Sequence, residues 1–512
     1  MKILKPVLIT TIIMAVLAGG AIFLLTRSGG GSAELNERIT EDQRDEAGEK
    51  AYRFDIDKTA VKLETSGEEK NVLNFDTKKI DVGTSKAARE RLDRLVKRMS
   101  ATFENPIIAA NPFGTNENSF YFYFETSYRG MVRYTVTVAD ESIPDFVRYI
   151  NNGQPDNLSK VHEFTVSGLV PGMKNYILIE VLDSTGAKRE YITYSYEVPS
   201  CSAKTKISVE KGKSKDASTL GLYYVFPAGD KNIYAYDNSG ILRGITNTES
   251  GHGSRFYTAG DSILYQISDT GAAMVSATGQ VKQVTEIKGY GKIKDFSYDG
   301  YDNIYALVTK KDRDYLVSGS FQTGKNRVVY RFPKGIRTKS LTSPVAGSLY
   351  VTASNPDGII KLRALTGNTP KVAFVLGKKS SWKKTPLRKK VKQDKTAANW
   401  KTGQAVLNLL EGSDGNNDSI STYLINKGKG TATIFSVDGK KKSVQEKEAF
   451  PTGESGLCNC QSYDGHTIIS NYNKGTFGEY DKEGKVTKQF STGKRVDGIV
   501  KCSLNGLCFY AG

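Results

Sequence analysis

The sequence predicts an all-β protein: an Ig/fibronectin-like β-sandwich followed by a six-bladed β-propeller, preceded by a single transmembrane helix. Three observations predict it. A glycine-closed hairpin phrase recurs around Gly240, Gly279, Gly324, Gly367, Gly439 and Gly484. Apart from one longer interval between Gly367 and Gly439, the phrases stand about 40–45 residues apart, the period of a four-stranded propeller blade. Ahead of them, residues 105–200 alternate apolar and polar positions between turn signals, as antiparallel strands do. The run from Pro6 to Thr26 carries no charge and follows Lys2 and Lys5.

That N-terminal run has the ~20-residue length that spans a bilayer. The lysines before it place the N-terminus in the cytoplasm and the remaining chain outside. Cleavage near Ala18 or Ala21 is the alternative, and it leaves the bulk of the chain extracytoplasmic as well. Residues 1–32 are therefore read as anchor and Gly-rich linker. Residues 33–104 are read as a charged, poorly ordered stalk. Within the stalk, Ala88, Leu92, Leu95, Val96 and Met99 share one face of a short amphipathic helix that Thr84 or Ser85 would cap. It is expected to dock on its own protein.

Residues 105–200 read as strands. FYFYFET and MVRYTVTV are taken as neighbours with Gly130 in the turn between them, and Leu169, Pro171, Gly172 and Tyr176 mark a bend. The propeller takes 201–512, with turns at Asp299-Gly300, Asp464-Gly465 and Asn505-Gly506. The long interval between repeats marks an insertion. It holds KKSSWKKTPLRKKVKQDK, Lys378 to Lys395, in which nine of eighteen residues are Lys or Arg. That run is either a solvated loop or an anion-attracting rim over the channel.

The 512-residue chain has 72 basic and 55 acidic residues, a net charge of +17. The extracytoplasmic placement makes nucleic acid an unexpected partner for this charge. It favours sulfated or other anionic small molecules, wall polymers or lipid headgroups. Five cysteines fit an oxidising compartment. Cys458 and Cys460 are candidates to pair with Cys502 and Cys508, in a pairing the sequence leaves open; Cys201 stands apart. A Cys-x-Cys without a neighbouring His is no metal motif, so no metal or cofactor is expected.

The stretches NPIIAANPFGTN (Asn105–Asn116), Val166-Ser167-Gly168-Leu169-x-Pro171-Gly172-x-x-Asn175 and NPDGIIKLRALTGNTPKVAFVLGKKSSWKK (Asn355–Lys384) resemble the bacterial arylsulfotransferases that use aryl sulfates as donors. Asp357, Gly367, Leu376, Gly377 and Trp382 are in step with the family pattern. The resemblance implies a sandwich joined to a six-bladed propeller, and a channel histidine that takes a sulfuryl group and passes it to a phenol. Such a step needs an unprotonated imidazole and cations around the sulfate oxygens.

At those places the sequence departs from the family. The nucleophile's position falls on Ala405, after Gln404, and alanine cannot accept a sulfuryl group. The family's arginine falls near Ser354 or Asn355. Its His-His-Asp motif falls on Lys292-Ile293-Lys294-Asp295, where only the Asp remains. The three histidines of the chain are His162, His252 and His466. The candidate ligand-binding residues are Lys294, Asp295, Ser354, Asn355, Asn399 and Gln404. Three readings follow: an arylsulfotransferase-like binding protein without sulfohistidine chemistry, an active transferase with rearranged residues such as His252, or a structural cell-envelope protein.

Overall fold

A computed structural model describes residues 61–502, apart from 76, 78, 151–157, 214–220, 252, 254, 261, 367–369, 393–406, 411, 427–428, 439–442, 454–457 and 482–484. The expected membrane span, His252, Asn399, Gln404, Ala405 and Cys508 lie outside the described residues. Among the described residues, no helix is long and apolar enough to cross a membrane.

One strand organises the sandwich. Phe120–Val138 runs for 19 residues without a turn. Its first half pairs with Ile107–Ala110 and with Ser159–Val166. Its second half pairs with Lys174–Leu182 and Phe146–Tyr149. Gly130 is thus a crossing point between two layers, not a hairpin turn. A Cβ there would stand 2.5 Å from Val181 Cγ1, so only glycine lets the layers approach. The two apolar runs looked like two strands because the residues between them, Glu125 to Arg129, are the polar and exposed part of one. The interior is aromatic: Phe122 stacks on Phe164 with ring centroids 5.6 Å apart, and Phe124 meets Phe164 edge-on at 6.0 Å.

The bend after Leu169 is secured by Asn175 rather than by Tyr176. The Asn175 Oδ1 accepts from Val170 N at 2.8 Å, and its Nδ2 donates to Val170 O and Met173 O at 2.9 Å. This fully buried amide satisfies the corner's backbone.

The segment read as a stalk is partly sheet. Lys62–Thr65 and Glu68–Asn71 form a hairpin that joins Lys188–Glu197, and Leu73–Asn74 pairs with Ile107–Ala110. Its apolar content is low, but Leu63, Leu73 and Phe75 are all buried. The helix Val82–Arg98 is capped by Asp81, whose carboxylate accepts from Thr84 N at 2.8 Å. Ala88, Leu92 and Leu95 are fully buried against Leu73, Phe75 and Tyr121. Ser85 Oγ accepts from Val281 N at 3.1 Å, so the helix also touches the propeller.

Six sheets form the propeller. From inside outward, blade 1 is Val496–Cys502, Leu222–Pro227, Ile233–Tyr236 and Leu242–Thr246, extended by Asn116–Glu117 of the sandwich. Blade 2 is Phe256–Ala259, Ser262–Gln266, Gly271–Ser276 and Val281–Glu286. Blade 3 is Asp295–Tyr298, Asn303–Lys310, Arg313–Ser320 and Asn326–Arg331. Blade 4 is Arg337–Leu341, Ser348–Asn355, Asp357–Arg363 and Lys371–Leu376, with Val391–Lys392 outside it. Blade 5 is Asn408–Leu409, Asn417–Asn426, Lys429–Asp438 and Ser443–Gly453. Blade 6 is Cys458–Tyr463, His466–Asn471, Thr476–Tyr480 and Val486–Ser491, with Ser208–Lys211 outside it. Every recurring glycine falls between the third and outermost strands of its blade.

The ring closes where the last strand, Val496–Cys502, becomes the innermost strand of blade 1. The seam between blades 6 and 1 is locked by Lys501, whose Nζ donates to Glu479 Oε1, to Tyr223 Oη at 3.3 Å and to Asn238 Oδ1 at 3.1 Å. Lys501 and Glu479 are fully buried. The Gln461 side chain accepts from the N–H of Lys501 and donates to its carbonyl. Burial pushes the Cys502 thiol up to about 12.

Removing one partner of such a buried pair strands the other charge. Lys501→Ala is expected to lower unfolding free energy by about 3–5 kcal/mol in urea titrations. An effect below 1 kcal/mol would show that the seam does not depend on the pair. A second expectation concerns acid. His162 is 5% exposed, sits 3.2 Å from Thr126 Oγ1, and burial lowers its pKa to about 4. Between pH 6.5 and 4 the unfolded chain takes a proton that the folded chain refuses, so stability falls with pH in that window, by about 3 kcal/mol at most. His162→Gln should remove that part of the slope.

Candidate functional site

The six innermost strands surround the propeller axis, and the residues at their beginnings meet there. Arg255 immediately precedes the innermost strand of blade 2. Its Nε and Nη2 each lie 2.9 Å from one oxygen of Asp295, the first residue of the innermost strand of blade 3. Its Nη2 also donates to Ser340 Oγ at 3.1 Å and to Leu341 O at 3.0 Å on blade 4. Toward blade 5 it reaches Leu407 O at 3.0 Å, and its Nη1 reaches Asn408 Oδ1 at 2.6 Å.

The network continues around the ring. Asn408 Nδ2 donates to Asn459 Oδ1 of blade 6, and Asn459 Nδ2 donates to Ile499 O of blade 1 at 3.3 Å. Ser340 Oγ donates to Asp295 at 2.5 Å and accepts from Leu407 N at 3.1 Å. The guanidinium–carboxylate pair thus joins blades 2 to 5 directly, and the two asparagines extend the network to blades 6 and 1. Burial opposes the charge on Arg255, but Asp295 more than offsets it and the guanidinium is held above its ordinary pKa. Tyr257, two residues on, is pushed up to about 12 by burial despite the nearby cation.

Lys339 is the third residue of blade 4's innermost strand and is half-buried. No described acid pairs with it. Burial lowers its pKa, and the Arg495 guanidinium lowers it further. Arg495 leads into the innermost strand of blade 1, which stands opposite blade 4 in a ring of six. The Arg495 guanidinium is thus near enough to Lys339 to be felt, although Arg495 itself is exposed. Arg495 approaches Asp497 only at 3.9 Å.

The residues expected from sequence divide. Asp295 is at the axis, paired with Arg255. Lys294 points the other way: its Nζ donates to Asp314 at 2.7 Å and to Thr338 O at 3.2 Å in the seam between blades 3 and 4. Ser354 and Asn355 are exposed at the end of blade 4's second strand, where Ser354 Oγ lies 3.4 Å from Arg337 O. That strand is not the innermost one, so neither residue reaches the axis. Asn399, Gln404 and Ala405 are not described. Cys458 and Cys460 lie on the innermost strand of blade 6, but their side chains are not described. His162 is in the sandwich and His466 contacts Glu479 at 3.2 Å in the outer part of blade 6, so neither lines the channel.

Arg255, Ser340, Lys339, Asn408, Asn459 and Arg495 were not anticipated. The signal was positional: each stands on or just ahead of an innermost strand. A separate cleft of about 370 Å³ opens between sandwich and propeller, lined by Asn111, Glu117, Cys201, Asn232 and Tyr234, and stands away from the axis.

Residues 107–199 match the arylsulfotransferase Ig-like domain. No curated protein matches the chain. Among solved structures, a chain of a nidogen/laminin complex is 13% identical and aligns over 55% of this chain and 97% of that one, with a TM-score of 0.37. A protein of unknown function from Bacteroides caccae is 12% identical over 55% of this chain and 98% of that one, with a TM-score of 0.37. A protein from Lactobacillus plantarum is 11% identical over 73% of this chain and 100% of that one, with a TM-score of 0.36.

The axial pair yields a prediction. Asp295→Ala leaves a buried guanidinium charge uncompensated and should cost about 3–5 kcal/mol. Replacing both partners together, Arg255→Met with Asp295→Leu, should cost less than the sum of the two single changes by at least 1 kcal/mol in a denaturation cycle. Additive single effects would show that the two groups do not stabilise one another.

Proposed function

We propose that this chain, whose sandwich is an arylsulfotransferase Ig-like domain, is a membrane-tethered extracytoplasmic propeller that binds a sulfated or other anionic small molecule at its channel mouth. It does so without sulfohistidine chemistry. The observation that supports the reading is Lys339, a half-buried ammonium on an innermost strand with no described acid to neutralise it and with the Arg495 guanidinium within electrostatic reach. Two cations held near one another are electrostatically costly when empty and favourable when an anion sits between them. An anion also reverses the depression of the Lys339 pKa, so binding and protonation reinforce each other.

Transfer needs more than this. A sulfuryl acceptor must be nucleophilic, and the family's position for it is Ala405. The guanidinium at the axis is committed to Asp295 and to four other oxygens, which leaves little of its charge for a reacting sulfate. The apolar run from Pro6 to Thr26 supports the tether. One observation favours a second reading, active transfer: His252 is only three residues ahead of Arg255, which reaches the axis.

The test uses the full chain in non-ionic detergent with 4-nitrophenyl sulfate as probe. Binding measured by calorimetry should weaken about tenfold or more in Lys339→Ala, the loss of one charge-assisted contact of ~1.5–3 kcal/mol. Nitrophenolate release with phenol present should not exceed the buffer rate. Release that disappears in His252→Ala would instead establish the transferase reading. Absence of any binding by wild-type protein would leave the structural envelope role.

A further inference from the structure

We propose that the outer edge of blade 4 is a docking surface for a linear polysaccharide bearing sulfate or phosphate groups. The surface is Lys378–Lys392, the stretch that follows strand Lys371–Leu376. Between Lys378 and Lys392 the sequence holds eight lysines and arginines and no acidic residue. All eight are exposed. None of them is ion-paired to a described residue, whereas other exposed propeller lysines are: Lys292 lies 2.8 Å from Asp269 and Lys334 lies 2.7 Å from Asp312.

The basic run is held in place. Trp382 is fully buried, and its Nε1 donates to Asp357 O at 3.0 Å. The indole fits only because two glycines make room: a Cβ on Gly358 or Gly377 would come within 2.9 Å of it. Leu387 and Val391 are buried beside it. Val391–Lys392 then pairs in parallel with Val375 and Leu376. Two short 3-10 turns, Lys379–Trp382 and Arg388–Lys390, carry four of the eight cations on this frame. Like charges gathered within a Debye length of ~8–10 Å repel, so an anchored shelf of them is stabilised by an anionic partner.

The chemistry of the shelf selects the partner. Its large apolar side chains face inward, which leaves no wedge to enter a bilayer. It presents no exposed aromatic ring on which a base could stack. What it presents is a row of mobile ammonium groups, suited to anions repeated along a flexible chain. The inference does not rest on the channel site, because no residue is shared.

Dextran sulfate is the probe, with the full chain in non-ionic detergent and binding followed by anisotropy at several salt concentrations. Wild-type protein should bind, with affinity falling steeply as salt rises. The combined change Lys383→Glu, Lys384→Glu, Arg388→Glu and Lys389→Glu should weaken binding at least about 100-fold with melting temperature retained. If that variant misfolds, Lys383→Gln with Lys384→Gln should reduce the slope of log K against log salt by about 1.5, near 0.7–0.9 per cation removed. Lys339→Ala should leave dextran sulfate binding unchanged, which separates this surface from the channel mouth. Unaltered dextran sulfate binding by the charge-reversed variant would overturn the proposal. So would substitutions that impair attachment to phosphatidylglycerol vesicles but not dextran sulfate binding, because the partner would then be a membrane.

Discussion

The ring depends on one buried ion pair. A propeller must fill or seal its axis, where six strands approach but cannot hydrogen-bond as a sheet. Arg255 and Asp295 fill it with polar groups. Burying either charge alone would be prohibitive. Paired through two parallel contacts and surrounded by hydroxyl, amide and carbonyl partners, they satisfy each other and the strand beginnings of the neighbouring blades. The innermost strands of blades 3, 4 and 5 are then positioned against one planar guanidinium carried beside that of blade 2. The same geometry limits chemistry, because a guanidinium bound on all edges cannot also serve a reacting oxyanion at full strength.

Two blade seams repeat a related solution with lysine. Lys501, Glu479 and Tyr223 hold blade 6 to blade 1. Lys361 donates to Asp418 at 2.8 Å, and Tyr350 donates to the same carboxylate oxygen at 2.6 Å, holding blade 4 to blade 5. In both, the ammonium also lies over the tyrosine ring, at 4.4 Å and 4.9 Å from its centroid. The sandwich is docked by a buried arginine instead. Arg243 bonds Asp237 at 2.7 Å and reaches the carbonyls of Gly168 and Pro144. A Cβ on Gly168 would stand 2.0 Å from Phe146, so the glycine of that corner is demanded by packing as well as by its φ of +88°.

The scaffold was legible because turns are local. The spaced glycines mark one hairpin per blade, and at Gly240, Gly279 and Gly324 the backbone has φ between +63° and +96°. Nothing in a neighbouring blade is needed to explain that choice. The 19-residue strand was misread because the bend at Gly130 depends on Val181, distant in sequence. The hairpin at Lys62–Asn71 was hidden because its stability lies in Leu63 and in pairing to Ser195 rather than in its charged composition. The axial site was the least legible part. Asp295 gives no local hint that its partner is forty residues away, and Arg255 sits in a glycine-rich loop with no motif of its own.

The excess of positive charge becomes meaningful once the paired cations are set aside. Arg255, Arg243, Lys361 and Lys501 are structural, each matched to a carboxylate in the interior. Lys294 and Arg337 share Asp314, whose burial is outweighed by these contacts and by the Thr338 N–H, so its carboxyl stays below its ordinary pKa. Among the described cations without that kind of partner are the two at the channel mouth and the shelf on blade 4. They differ in kind. At the mouth, one half-buried ammonium lies within electrostatic reach of one exposed guanidinium. The shelf is exposed and extended, and its cations diverge from a buried tryptophan. A single fold can offer both because the blades fix the axis while Lys378–Lys392 packs at blade 4's outer edge. Charge in this chain is therefore partitioned by burial: neutralised where it builds the ring, and left available where the ring meets solvent.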